Sequence, residues 1–238
     1  MTISPIDESQ RRAARVVGLA YLFALIPANF AEFYVPARLF VANNAAETAR
    51  NIMAHERLFR LGIASNLLCW LTDVVLITAL YVVLKPVNRS FALLATFLRL
   101  METAVLVVIT LHDFDVLRVL SGTDYLQAFR TDQLQALARL SIGAHGSGYN
   151  VGLLFFGLGS TVFCYLWFKS AYIPRALAAL GVFGSSLVAA CTFAMIIFPD
   201  LSKIAIPGCF APIFLFEVTI GFWLLLKGLR TSGVAAVP

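Results

Sequence analysis

The stretch SFALLATFLRLMETAVLVVITLH, residues 90–112, is apolar over most of its length, with charges only at Arg99 and Glu102. A helix needs about 20 predominantly apolar residues to cross a hydrocarbon core about 30 Å thick. The stretch is therefore long enough to span a membrane. Five further apolar blocks occur, at about 14–35, 61–84, 143–168, 176–198 and 207–227.

These blocks predict an all-α polytopic membrane protein, in which residues 1–238 form a single integral membrane domain of six transmembrane helices. The chain is 60% hydrophobic and only 13% charged, whereas soluble domains are about 25% charged. Strands of a membrane barrel would alternate apolar and polar residues, and these blocks do not. The net charge is +5, and the basic residues lie at the ends of the apolar blocks. The expected partner is therefore the lipid bilayer and not a nucleic acid.

The first block is longer than the apolar region of a signal peptide, so it is interpreted as a retained span. The four cysteines lie in or at the edges of apolar blocks and show no CxxC spacing. They are expected to be small buried residues without a disulfide framework. These cysteines are Cys69, Cys164, Cys191 and Cys209.

The basic residues also predict the orientation of the chain. Two short turns, LKPVNRSF and FKSAYIPRAL, are rich in lysine and arginine, and such residues prefer the cytoplasmic side. This pattern predicts cytoplasmic N- and C-termini in a bacterial inner membrane, with residues 36–60 and 113–141 outside.

The two outer segments contain apolar residues at helical spacing, so each is expected to hold a short interfacial helix. In NNAAETARNIMAHERLF, residues 43–59, Asn44 is a plausible N-cap and Glu47 follows three residues later, as in a capping box. The second segment is TDYLQAFRTDQLQALARL, residues 123–140.

Four ionisable residues from three blocks fall about 10 to 13 residues from the predicted inner helix ends, near the membrane midplane. They are Asp73, Arg99, Glu102 and Glu217. Ionisable residues inside a span usually face the bundle interior, pair with each other and mark function. Because burying uncompensated carboxylates is costly and only one base accompanies three acids, at least one acid is expected to be protonated or to bind a cation. The four residues are candidate ligand- or ion-binding residues; an ion-pair network that fixes packing and a catalytic centre are the alternatives.

Three histidines, His55, His112 and His145, lie at the predicted outer boundary, with acidic residues beside two of them. Together they could ligate Zn²⁺ or another transition metal, and two could ligate haem. No HExxH, HxxxH or CxxCH motif supports this, and histidines at a boundary also contact lipid headgroups. No cofactor is therefore assigned, and the metal site stays a hypothesis. No nucleophile elbow or phosphate-binding loop is present, so no catalytic residue is designated.

Three longer stretches resemble a known family. They are ALYVVLKPVNRSFALLATFLRLMETAVL, LLFFGLGSTVFCYLWFKSAYIPRALAALG and FEVTIGFWLLLKG, and they are similar to bacterial multi-pass proteins grouped as domain of unknown function 4386. The resemblance implies a bacterial membrane protein with six spans. The name of the family assigns no activity.

The residues favour binding or conduction of a proton, an ion or a small polar or amphiphilic ligand through the midplane charges. One alternative is a membrane-embedded enzyme, or a metal or haem protein, that uses the outer histidines. Another is an accessory subunit of a larger membrane complex, in which the midplane charges only stabilise the packing of the helices. A homo-oligomer is compatible with each of these roles.

Overall fold

The computed structural model describes residues 6–122 and 124–230, apart from the side chains of residues 125 and 202–207. The described residues contain helices and no strands. The α-helices are α1 (Glu8–Asn29), α2 (Val35–Leu39), α3 (Ala45–Ala54), α4 (Glu56–Leu84), α5 (Arg89–Leu120), α6 (Thr131–Ser170), α7 (Arg175–Ile197) and α8 (Ser202–Leu226). The predicted all-α class is confirmed.

Six helical segments of the described chain are long and apolar enough to cross a membrane. The first runs from Glu8 to Leu39 through α1 and α2, and the last comprises Gly208–Leu226 of α8. Large apolar side chains on these segments are exposed, including Ile26, Leu71, Phe97, Phe183 and Leu226. A protein in water rarely exposes so much apolar surface, but lipid chains solvate it. The protein is therefore a multi-pass membrane protein.

Helix α6 differs from the prediction, which divided it into an interfacial helix and a separate span. The structure has one helix of 40 residues, about 60 Å long at 1.5 Å per residue. Its sequence contains no proline, and glycine weakens a helix without ending it. The helix therefore continues beyond the hydrocarbon core. Thr123, at the start of the predicted interfacial segment, lies outside the described residues.

The other segment predicted to hold a short helix contains one, α3. The Asn44 side-chain oxygen accepts a hydrogen bond from the Glu47 backbone N–H at 2.9 Å. The Asn44 amide nitrogen in turn donates to Glu47 Oε2 at 2.9 Å. This side-chain cap stabilises the first turn of α3, because the N–H groups there have no partner within the helix.

A π-helical segment, Phe30–Tyr34, connects α1 to α2. Pro27 lies inside α1 just before it, and a proline inside a helix removes a backbone donor and distorts the turn before it. Short π-helical turns occur frequently at functional sites. The segment carries one acidic residue, Glu32.

The chain divides into two compact units. Unit 1 consists of Met1–Phe23, Thr72–Glu102 and Gly152–Pro238, and unit 2 of Ala24–Leu71 and Thr103–Val151. The core of unit 1 contains the fully buried side chains of Phe163, Trp167, Tyr172 and Phe216. The core of unit 2 has two clusters, one around Leu39, Ile52 and Phe59 and one around Trp70, Leu106 and Ile109.

Glycines let helices of unit 1 approach closely. A Cβ atom built on Gly157 of α6 would lie 2.7 Å from the backbone nitrogen of Ala189 in α7. One built on Gly184 of α7 would lie 2.7 Å from the backbone nitrogen of Ile213 in α8. Small residues at such crossings strengthen van der Waals packing, which drives helix association in lipid.

Cys191 of α7 and Cys209 of α8 form a disulfide, with Cα atoms 6.3 Å apart. The expectation that all four cysteines are unpaired is therefore wrong for this pair. Cys69 and Cys164 are buried and are not part of this disulfide. The pairing depends on how α7 and α8 pack side by side, and a spacing of 18 residues gives no local signal of it.

Candidate functional site

The structure brings three of the four predicted midplane residues into direct contact within unit 1. Arg99 of α5 lies at the centre, with its Nε 3.1 Å from Glu102 Oε2 one helical turn later. Its NH2 group lies 3.6 Å from Asp73 Oδ1 of α4. All three side chains are buried. We refer to Asp73, Arg99, Glu102 and Glu217 as the unit 1 cluster.

Helix α6 completes the surroundings of the guanidinium group. Arg99 NH1 donates a hydrogen bond to Ser160 Oγ at 3.2 Å, and the guanidinium carbon lies 4.4 Å from the centroid of the Phe156 ring. A Cβ atom on Gly159 would lie only 2.8 Å from Arg99 Cγ. The glycine therefore makes room for the arginine, while the ring adds a cation–π attraction. Sequence reasoning missed Phe156 and Ser160, because neither residue type stands out in an apolar span.

Glu217 of α8 joins the unit 1 cluster at longer range. It is partly buried, and its charge interacts through space with those of Arg99 and Asp73. Within the described part of the chain, no ion pair of 4.0 Å or shorter includes it. The phenol of Tyr21 and the thiol of Cys164 lie within the electrostatic influence of the same carboxylate.

The formal charges of the unit 1 cluster do not balance. Two carboxylates contact the guanidinium and a third interacts with it through space, so two negative charges are in excess when all four groups are ionised. Each uncompensated ion in a low-dielectric interior costs several kcal/mol. The cluster can therefore accept protons or a cation, and it can also hold α4, α5 and α6 together through Arg99.

The three histidines have separate partners. His55 Nδ1 lies 3.1 Å from the backbone oxygen of Asn51, and His112 Nδ1 lies 3.7 Å from Asp115 Oδ2. His145 contacts Asp113 and Glu32. Among the described residues, no group of three or more histidine, cysteine or acidic side chains is placed to hold a metal ion. The metal and haem hypotheses stay predictions.

His145 belongs to a second polar cluster, which lies in unit 2. Its Nδ1 is 3.1 Å from Asp113 Oδ1 of α5, and its Nε2 is 3.6 Å from Glu32 Oε1. The Asn66 amide of α4 donates a hydrogen bond to Glu32 Oε1 at 2.8 Å. We refer to Glu32, Asn66, Asp113 and His145 as the unit 2 cluster.

The unit 2 cluster lines a cavity of about 240 Å³. Sequence analysis noted an acidic residue beside His112, but it did not connect that residue, Glu32 or Asn66 with His145. The signal for Asn66 was present, because an amide occurs in the mostly apolar run LGIASNLLCW, residues 61–70. Sequence alone could not show which carboxylates His145 would contact.

Comparison with known proteins gives a family but no activity. Residues 16–228 match the family described as domain of unknown function DUF4386. The chain is 28% identical over 171 residues to an uncharacterized protein of Archaeoglobus fulgidus. The aligned region covers 70% of this chain and 83% of the relative. No solved structure matches the chain.

Proposed function

Because the chain belongs to the DUF4386 family, whose description assigns no activity, its chemistry has to come from its own residues, and we propose that it binds a proton or a small inorganic cation at the unit 1 cluster. One observation carries the proposal: a single buried guanidinium contacts two carboxylates and interacts through space with a third. The binding groups are Asp73, Glu102 and Glu217.

The contact distances assign different parts to the three acids. Glu102 is the closest partner of Arg99, at 3.1 Å, and it neutralises most of the arginine charge. Asp73 lies 3.6 Å from Arg99 and interacts with the remaining positive charge of the guanidinium group. Glu217 approaches from α8 without an ion pair among the described residues, so its charge is the least compensated. A proton or a cation held there would remove the cost of burying an isolated carboxylate.

A purely structural ion-pair network is the competing explanation. Such a network needs one acid for one base, and the Arg99–Glu102 pair already meets that need. The two additional acids increase the cost of the cluster without adding a second base. Ionisable groups kept inside a span at this cost usually mark a proton or ion pathway, which supports a binding function.

We also propose that the protein lies in the bacterial inner membrane with both termini in the cytoplasm. The lysine- and arginine-rich turns support this orientation. The disulfide supports it as well, because α7 would then end, and α8 would begin, near the outer surface. Disulfides persist in oxidising compartments such as the periplasm and are rare in the cytosol.

The binding proposal is tested on purified full-length protein. We expect the melting temperature of the wild type to depend on pH between about 5 and 8, or on exchanging Na⁺ for K⁺ or Li⁺ in the buffer. Glu217→Gln and Glu102→Gln keep the side-chain shape and remove a charge and a proton site. They should abolish that dependence while the protein stays folded. Glu56→Gln alters an exposed acid paired with Arg60 and should leave the dependence intact.

Reconstitution into liposomes that contain a pH-sensitive dye shows whether binding is accompanied by flux. The proposal is overturned if neither pH nor cation changes the melting temperature of the wild type and no gradient drives flux. It is also overturned if Glu217→Gln and Glu102→Gln both retain the wild-type dependence. In either case the unit 1 cluster would only stabilise the packing of the helices.

A further inference from the structure

The unit 2 cluster combines four polar side chains from four helical segments around one cavity. Glu32 comes from the π-helical segment, Asn66 from α4, Asp113 from α5 and His145 from α6. We propose that this cavity is a binding site for a small organic cation, an ammonium group carrying a short apolar body. The inference concerns unit 2 and does not depend on the function proposed for unit 1.

The charge of the cavity favours a cation. Two carboxylates, Glu32 and Asp113, contact the single imidazole of His145. Even when the imidazole is protonated, one negative charge remains in excess. No lysine or arginine is among the described residues that line the cavity. The side chains of Glu32, Asp113 and His145 are only 18%, 12% and 14% exposed, so bulk solvent screens this charge weakly.

Asn66 supplies an acceptor that has no hydrogen-bond partner among the described residues. The residue is only 4% exposed, and its amide nitrogen is engaged by Glu32. That hydrogen bond fixes the orientation of the amide, and within residues 6–122 and 124–230 the Oδ1 atom has no hydrogen-bond partner. Buried acceptors in native proteins are nearly always satisfied. An ammonium group, which offers several N–H donors, can satisfy Oδ1 and a carboxylate together.

The remaining walls suit the apolar part of such a ligand. The rings of Phe40 and Phe59 both line the cavity, with their centroids 6.4 Å apart. Aromatic faces attract cations and also contact alkyl groups. The volume of about 240 Å³ is below the roughly 300 Å³ at which pockets for drug-sized ligands begin. The ligand is therefore small. Apolar side chains complete the walls: Ala31, Val35, Pro36, Ile63 and Ile142.

The backbone holds these groups in a defined arrangement. Glu32 is placed by the π-helical turn, which departs from the regular spacing of α1. The His145 ring lies nearly parallel to the Tyr149 ring, at 13° and with centroids 6.4 Å apart. Asn66 and Asp113 project from long regular helices. Groups on such elements are positioned more exactly than groups on loops, and this reduces the cost of ordering them on binding.

The experiment uses isothermal titration calorimetry on the full-length protein in lipid nanodiscs. The probes are n-butylammonium chloride, n-butanol as a neutral molecule of the same size, and Na⁺ as an inorganic cation. We expect saturable binding of n-butylammonium and an affinity for n-butanol lower by about tenfold or more. Excess Na⁺ should not displace the amine.

Matched variants locate the site. Asp113→Asn and Glu32→Gln should each weaken n-butylammonium binding by about tenfold or more. Asp115→Asn is the control, because Asp115 lies on the same helix with an exposed side chain that contacts His112 and Arg118. It should bind as the wild type does. A melting-temperature shift of the wild type by n-butylammonium gives a second readout that does not require a variant to fold.

Four results would overturn the proposal. Wild-type protein with neither saturable heat nor a melting-temperature shift has no such site. Equal affinity for n-butanol would show a neutral amphiphile pocket, and displacement by Na⁺ would show an inorganic cation site. Equal losses of affinity in Asp113→Asn and Asp115→Asn would place the binding elsewhere.

Discussion

At the scale of single residues, Arg99 connects three helices with one side chain. Its NH2 group faces Asp73 of α4, its Nε faces Glu102 of α5, and its NH1 donates to Ser160 of α6. The side chain is only 4% exposed, so these contacts lie away from water. Its removal affects three helices and leaves acidic groups without a counter-ion.

Replacing Arg99 by leucine should lower the free energy of unfolding by about 3–5 kcal/mol, because partners of a buried ion pair are left charged and unpaired. Unfolding in mixed detergent micelles measures this change. Arg60→Leu is the matched control. Arg60 and Glu56 form an exposed pair one turn apart, which should contribute only about 0.3–0.5 kcal/mol.

A double variant separates the loss of the ion pair from the change in side-chain volume at Arg99. Adding Glu102→Gln to Arg99→Leu removes one of the stranded charges, so the double variant should be more stable than Arg99→Leu alone. A double variant that is less stable than Arg99→Leu by the full cost of Glu102→Gln would contradict the pairing of these two residues.

At the scale of helices, close backbone contacts determine which faces can pack. Gly184 places the backbone of α7 against that of α8 at Ile213. By contrast, a Cβ atom on Gly143 of α6 would meet nothing within 4 Å. Two glycines in long helices thus have different environments, and the residues next to them in the sequence do not show this difference.

Gly184→Ala should destabilise the protein by about 1–3 kcal/mol, because the added methyl group overlaps the backbone of Ile213. Gly143→Ala should be neutral or stabilise by about 0.5–1 kcal/mol, since alanine favours a helix over glycine. Both changes are measured by unfolding in mixed micelles. Equal effects of the two substitutions would show that α7 and α8 do not pack closely at Gly184.

At the scale of the whole molecule, the proposed orientation fixes which side of the membrane each turn faces. Ser90 is the second residue of α5 and follows a basic turn, and Thr131 begins α6 after the outer segment. In this arrangement, six spans place residues 6 and 230, the two ends of the described chain, on the same side of the membrane. The Cys191–Cys209 disulfide lies near the turn between α7 and α8, which faces outward when the N-terminus is inside.

A membrane-impermeant maleimide applied to intact cells should label Thr131→Cys and not Ser90→Cys. Both positions are exposed in the structure. The wild type is the control and should not be labelled, because Cys69 and Cys164 are buried and Cys191 and Cys209 form a disulfide. Labelling of Ser90→Cys from outside, with none of Thr131→Cys, would reverse the proposed orientation.

The sequence by itself determined the class of the protein, its six apolar spans, the capped helix α3 and the burial of Asp73, Arg99 and Glu102. These features depend on apolar length, on local spacing and on the cost of placing charge in lipid, all of which act along the chain. It did not determine the full length of α6, because the lengths of apolar blocks show where a membrane is crossed rather than where a helix ends.

Only the tertiary structure decided which residues meet across helices. It paired Cys191 with Cys209, placed His145 between Asp113 and Glu32, and oriented Asn66 toward Glu32. Each contact depends on the rotation of one helix about its axis relative to its neighbours and on how closely the two approach. The sequence of an apolar helix with a weak polar pattern does not specify that rotation, which is set when the side chains pack. The geometry of both clusters could therefore not be predicted from the sequence.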